Sequence, residues 1–212
     1  MAVASLANFT VPVSGPTDQS QGSQGLLMPK LKYRFRATFV GFGVTSPTTE
    51  MTKQVVDIKR PNVNFNPITI DVYNSKVYLQ GKPEWQETTI NLRDDATGAV
   101  SQLVGQQVQK QYDFLEQASS AAGGNYKFQM IYDVLDGGNG TTTPNILEQW
   151  ELDGCFLSQV DWGDMAYNSS DPVQIALTVK FDNAVQKIGG AVGSAQYGVN
   201  SVLVQSNNIT GA

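Results

Sequence analysis

The chain reads as a mainly β protein: a sandwich or barrel-like subunit flanked by one α-helix. Three observations predict this. Apolar and polar residues alternate in several separate runs, the mark of half-buried strands. A single stretch carries a broad apolar stripe at helical spacing. The 212 residues suffice for one domain with a sizeable core and extensions. Strands with one interposed helix favour a sandwich or barrel whose opening or edge the helix covers.

Taken in order, residues 1–28 are rich in Ser, Gly, Gln and Pro and read as an N-terminal arm. Residues 29–187 read as the β domain. Its first strand spans 31–40, where Leu31, Tyr33, Phe35, Ala37 and Phe39 alternate with Lys32, Arg34, Arg36 and Thr38. A loop follows to about Thr52, punctuated by Gly41, Gly43 and Pro47. A strand over 54–59 stops at Pro61. Runs over 68–73 and 76–80 form a hairpin turning at Asn74 and Ser75. A further strand covers 85–92.

The helix is predicted over about 97–117. Asp94, Asp95 and Thr97 signal its start. Val100, Leu103, Val104, Val108, Tyr112 and Leu115 form its apolar stripe. Gln107 and Gln111 fall inside that stripe. Either they bond across an interface or the stripe is only partly buried. Strands resume over 126–135 and 146–160, the latter a single strand or a pair, with a bulge or bend at Asp153-Gly154. Residues 173–181 give the last strong strand, with Val173, Ile175, Leu177, Val179 and Phe181 on one face. Residues 188–212 read as a C-terminal arm, either a docking segment or a frayed tail.

Composition narrows the function. The chain has no histidine. That removes Ser-His and Cys-His nucleophile pairs, histidine metal sites and the commonest general acid/base. Carboxylate chemistry stays open, for example a glycoside hydrolase with two facing acids. Asp161 and Asp164 flank Trp162 and Gly163, but no nucleophile or metal partner supports them as a catalytic pair. Gly41-Phe42-Gly43 lacks the Lys-Ser/Thr of a phosphate loop. The glycine-rich turn at 136–140 resembles a calcium turn but has too few oxygen ligands in register. Cys155, the single cysteine, reads as a buried structural thiol. Trp85, Trp150 and Trp162 read as packing residues. No catalytic residue, metal or cofactor is expected.

Charge points the same way. The net charge is −5 and no basic run exists, so gripping nucleic acid through its phosphates is not expected. No run of ~18 apolar residues occurs, so no membrane anchor is expected. The N-terminus shows no secretory pattern, and the sequons at Asn8, Asn139, Asn168 and Asn208 are read as chance. Charged residues make up 16%, against the usual ~25%. A surface poor in charge and rich in amides suits burial against copies of the same chain.

Five segments, in this order, resemble tail tube proteins of contractile-tailed bacteriophages, the tube/Hcp-like family. They are VVDIKRPNV at 55–63; YNSKVYL at 73–79 with Gly81, Lys82 and Trp85; INLRDDA at 90–96 leading into LVGQQVQKQYDF at 103–114; WELDGC at 150–155; and LTVKFDNA at 177–184. The resemblance implies six subunits in a ring, their inner strands closing one continuous β-barrel, and rings stacked into a tube. It implies a conduit for genome ejection inside a contractile sheath. The implied partners are further copies of the chain, the tail sheath protein, baseplate and tail terminator proteins, and a tape-measure protein and DNA in the lumen without specific binding. The implied location is the virion tail, assembled in the host cytoplasm. The alternative is the tube of a phage-derived contractile injection system or a type VI-like secretion device. The resemblance also places an inter-ring contact at Thr45, Pro47, Thr48, Glu50 and Met51.

Overall fold

The structure, a computed structural model, describes residues 29–44, 49–120, 126–137 and 143–194. The chain divides into two compact units, Met1–Arg34 and Phe35–Ala212. In the first unit, the described residues 29–34 close a turn, with Arg34 N–H donating to Leu31 O at 3.2 Å. The predicted strand over 31–40 therefore begins later, as β1 (Phe35–Val40). Its partner β8 (Phe128–Leu135) accounts for the difference. Phe35 pairs with Val134, and β8 ends one residue further on.

The described part of the second unit holds eleven strands and two helices. Seven strands form one bent sheet around a single core. Its path runs β1, β8, β9 (Ile146–Asp161), β10 (Gln174–Lys180), β5 (Thr88–Arg93), β2 (Val55–Ile58). β11 (Asn183–Ile188), a strand the sequence reading did not mark off, also pairs with β9.

β9 makes the corner. Its first part pairs with β8 on one side and β11 on the other; its second part pairs with β10. The change falls at Gly154, as the Asp153-Gly154 punctuation anticipated, within one continuous strand. Gly154 has φ 68°, and a Cβ there would lie 2.2 Å from Asp182 Oδ2. Only glycine fits both the dihedral and the space. The opposing chain bends at the same level, because Asp182 separates β10 from β11 and its N–H donates to Asp153 O.

Both halves of the sheet turn alternate residues inward. Phe39, Met130, Tyr132 and Leu152 come from one half, and Ile90, Leu92, Ile175, Leu177 and Val179 from the other. Each such side chain contributes about 1.5–3 kcal/mol through burial. Helix α2 (Ala99–Gln111) covers this core with Val100, Leu103 and Val104.

The helix is shorter than the predicted 97–117. At Tyr112 the backbone turns extended (φ −152°). Asp113 then accepts hydrogen bonds from the N–H groups of Leu115 and Glu116. That local turn competes with helix continuation and folds β6 (Tyr112–Asp113) onto β7 (Ala118–Ser119). At the other end, Gly98 is the cap residue and makes no side-chain cap bond. Asp95 substitutes from farther back, accepting from Val100 N–H at 3.2 Å.

The two glutamines in the apolar stripe bond within the chain. Gln107, wholly buried, accepts from Gly43 N–H (2.9 Å) and donates to Tyr126 O (2.6 Å). Gln111 donates to Leu157 O and accepts from Leu157 N–H, both at 2.9 Å. Leu157 lies just past Cys155, the last β9 residue that β8 pairs. A glutamine amide thus completes the edge that β8 leaves open.

Candidate assembly surface

Among the described residues, β3 (Asn62–Val72) and β4 (Ser75–Gln86) pair only with each other and form a ribbon beyond the bent sheet. The predicted strand over 85–92 is in fact the end of this ribbon and the start of β5, parted at Glu87. The hairpin turns at Tyr73 and Asn74, one position before the predicted Asn74 and Ser75. This register sets Ile70 opposite Val77, Ile68 opposite Leu79 and Asp71 opposite Lys76. Like then meets like across the strands, and the Asp71–Lys76 pair closes at 3.8 Å.

Directly opposed residues share a face. One face of the ribbon tip therefore carries Ile68, Ile70, Val72, Val77 and Leu79; the other carries Thr69, Asp71, Lys76, Tyr78 and Gln80. The aliphatic side chains are 44–56% exposed. Near the root the register shifts between Phe65 and Pro67. Gly81 sits at this bulge, where a Cβ would lie 1.9 Å from Asn66 O.

Strict alternation along β3 puts Val63 and Phe65 on the face opposite Ile68, Ile70 and Val72. Val63 and its partner Trp85 are half-buried toward the body, and Trp85 packs on the Phe181 ring at 5.7 Å. Past the root the body covers neither face of the tip: Thr69, Asp71, Lys76, Tyr78 and Gln80 are exposed as well, and the aliphatic face is left bare. A two-stranded ribbon is marginal alone in water, and an apolar face of this kind marks an interaction surface.

The root has its own polar ties. Thr88 Oγ donates to Lys59 O. Arg60 lies 3.5 Å from Glu148 on β9. The Glu148 side chain is 6% exposed and also accepts from Trp150 Nε1 at 2.6 Å. Tyr132, opposite Trp150 in β8, stacks on it at 6.4 Å.

The residues expected at an inter-ring contact lie elsewhere. Thr45, Pro47 and Thr48 fall outside the described residues, as does the side chain of Glu50. Glu50 and Met51 belong to α1 (Thr49–Lys53), a short helix in what the sequence presented as a loop. Met51 is wholly buried in the core of its own chain, where it anchors the end of that loop. The loop's start is held by α2. Gln107 accepts from Gly43 N–H, Gln106 from Val44 N–H, and Lys110 Nζ donates to Gly41 O at 3.1 Å.

The remaining chemistry-bearing residues do not converge. Asp161 accepts from Gly163 N–H and closes a turn, while Asp164 is exposed. Cys155 is buried, donates to Leu152 O, and burial pushes its thiol up to about 12. A thiol held that high is inert at neutral pH. Among the described residues no cluster of His, Cys, Asp and Glu is arranged to hold a metal, and no helix is long and apolar enough to cross a membrane. The ribbon was legible as two strands. The exposure of its apolar face was not, since alternation marks two faces without saying whether the body covers either.

No protein-family model matches the chain, and no curated protein matches it. Solved structures do. A chain of the anti-feeding prophage baseplate aligns with TM-score 0.57 at 12% identity, over 77% of this chain and 99% of that one. A chain of an extracellular contractile injection system (PVC sheath-tube complex, extended state) aligns with TM-score 0.54 at 12% identity, over 82% and 99%. A chain of the anti-feeding prophage tube-terminating cap aligns with TM-score 0.54 at 13% identity, over 77% and 94%. This chain has the fold of contractile-system tube proteins.

Proposed function

We propose that the chain is a structural tube subunit: six copies close a ring, and rings stack into the tail tube of a contractile phage. The observation that carries this is the bare aliphatic face of the β3–β4 ribbon on a tube-protein fold. A second copy is the occupant such a face suits. The ribbon recurs on every subunit, and a contact that repeats around a ring closes without leaving an apolar face bare. Among the described residues β1 and β2 end the sheet, and their edges offer further strand pairing between copies.

In this reading the tube conducts the genome through the host envelope inside a contractile sheath. Sheath, baseplate, terminator and tape-measure proteins are its partners, and it performs no catalysis. It resides in the virion tail after assembly in the host cytoplasm. The net charge of −5 suits a conduit that lets a polyanion slide. In this reading the terminal segments 1–28 and 188–212 serve as arms.

A second reading is a phage-derived injection device that delivers protein. The anti-feeding prophage and extracellular injection-system chains among the neighbours favour it. Electron microscopy of the purified chain tests the common claim. Six-fold rings or hollow tubes are expected, and monomers alone at high concentration would count against it. Capsid and packaging genes beside this one separate the phage reading from the device.

A further inference from the structure

We propose that the ribbon docks head-to-tail: Tyr73 at its tip seats in the cavity of the loop across 162–173 of the next copy in the ring. The proposal rests on the reading of the ribbon as the contact between subunits, and it names the surface that receives it.

Tip and loop stand at opposite ends of the same strands. β5 begins at Thr88, beside the ribbon root where Asn62 pairs with Gln86. It ends at Arg93, which pairs with Gln174 at the start of β10. The loop across 162–173 joins β9 to β10 at that far end, and Val173 O accepts from Asp94 N–H at 3.0 Å. β3 has 11 residues, a reach of roughly 35 Å away from the root. Unlike surfaces at two ends of one subunit make a heterologous contact, which closes a ring when the rotation fits.

Tyr73 is an unusual residue for its place. It opens the two-residue turn at φ 48°, a left-handed conformation that glycine or asparagine takes more easily. Its side chain is 100% exposed, so no packing in its own chain offsets that strain. An aromatic ring held out at a hairpin tip suits burial in a partner.

The loop offers a matching cavity. It is held by its own bonds: Ser169 N–H donates to Ala166 O at 3.3 Å, and Asp171 N–H donates to Ser169 Oγ at 3.2 Å. The cavity holds about 500 Å³, within the ~300–1,000 Å³ of ligand clefts. Met165, Ala166, Pro172 and Val173 supply apolar wall, and Asp164 and Asp171 supply carboxylates. A phenol matches both. Its ring packs on the wall, the Met165 sulfur included, and its hydroxyl donates to a carboxylate. The charges are complementary too. Residues 161–173 carry three Asp and no cation, and Lys76 lies three positions beyond Tyr73. The pair of Lys76 with Asp71 is exposed on both sides and weak, so Lys76 can turn to Asp164 of the neighbour.

Disulfide trapping in assembled rings is the test. Cys155 is buried and does not compete. Asn74 and Ala166 are both exposed. Asn74→Cys and Ala166→Cys in one chain should cross-link chain to chain on oxidation, and the ladder on a non-reducing gel should stop at the closed hexamer. The two single variants mixed should give a dimer band, and neither alone should cross-link. Tyr73→Asn suits the turn, so melting temperature should hold while ring formation falls at least about tenfold. Rings that form without the cross-link between positions 74 and 166, or a ladder that runs past six, overturn the proposal. So does Tyr73→Asn assembling as well as the native chain, or Asn74→Cys alone cross-linking tip to tip. A native chain that forms no rings overturns the tube reading instead.

Discussion

Tyr132 carries a buried hydroxyl with no hydrogen-bond partner among the described residues. Its ring packs in the core and stacks on Trp150, so the ring stabilises while the hydroxyl costs desolvation. Tyr132→Phe should leave stability unchanged or raise it by roughly 1 kcal/mol in urea titration; a clear loss would mean the hydroxyl is satisfied in solution. Gln107 is the opposite case. Its amide serves Gly43 N–H and Tyr126 O in a buried site. Gln107→Leu keeps the volume and orphans both backbone groups, at about 2–4 kcal/mol. Equilibrium unfolding measures it, and a cost below ~1 kcal/mol would show that water reaches the site.

At the scale of elements, α2 depends on Asp95. Its carboxyl is held below the ordinary carboxylate range, first by the Thr97 hydroxyl and then by Val100 N–H. A folded value lower than the unfolded one gives stability that is complete above the unfolded value. It is lost as pH falls through the folded value. Asp95→Asn should therefore melt below the native chain at pH 7, and the gap should shrink as pH falls below about 4. Thermal melts across pH 2–7 read this directly, and a gap independent of pH would remove the charge from the explanation. For the ribbon, Ile70→Lys places a charge on the bare aliphatic face. The melting transition of the body should move by no more than ~0.5 kcal/mol equivalent, as for an exposed site, while ring formation is lost. Rings that persist in micrographs would show that this face is not the contact.

At the scale of the whole molecule, the proposed tube makes ring closure and ring stacking separate events that should fail separately. The loop across 45–48 is anchored at both ends, by the α2 side chains at Gly43 and Val44 and by Met51 in the core. Deleting Pro47 and Thr48 should leave six-fold rings intact and shorten or abolish tubes. Tubes of native length and stability would remove the loop from stacking. The anchors themselves are intrachain, so Met51 serves this loop through burial in its own core.

Strand content, the position of α2, the corner at Asp153-Gly154 and the inward row Ile175, Leu177, Val179 and Phe181 were all legible in the sequence. They follow from periodicity and backbone chemistry, which act between near neighbours. The limits of elements were less legible. α2 ends early because Asp113 offers a competing turn, and β1 starts late because β8 ends. The roles of Gln107 and Gln111 lay further out of reach, since their partners Gly43, Tyr126 and Leu157 are distant in the chain. So too for Arg60 and Glu148, which nothing but the bent sheet brings together. By itself the sequence determined that a hairpin with an aliphatic face exists near residues 68–79. Only the tertiary structure decided that this face is left bare, because the ribbon runs past the bent sheet and the core covers neither side of its tip.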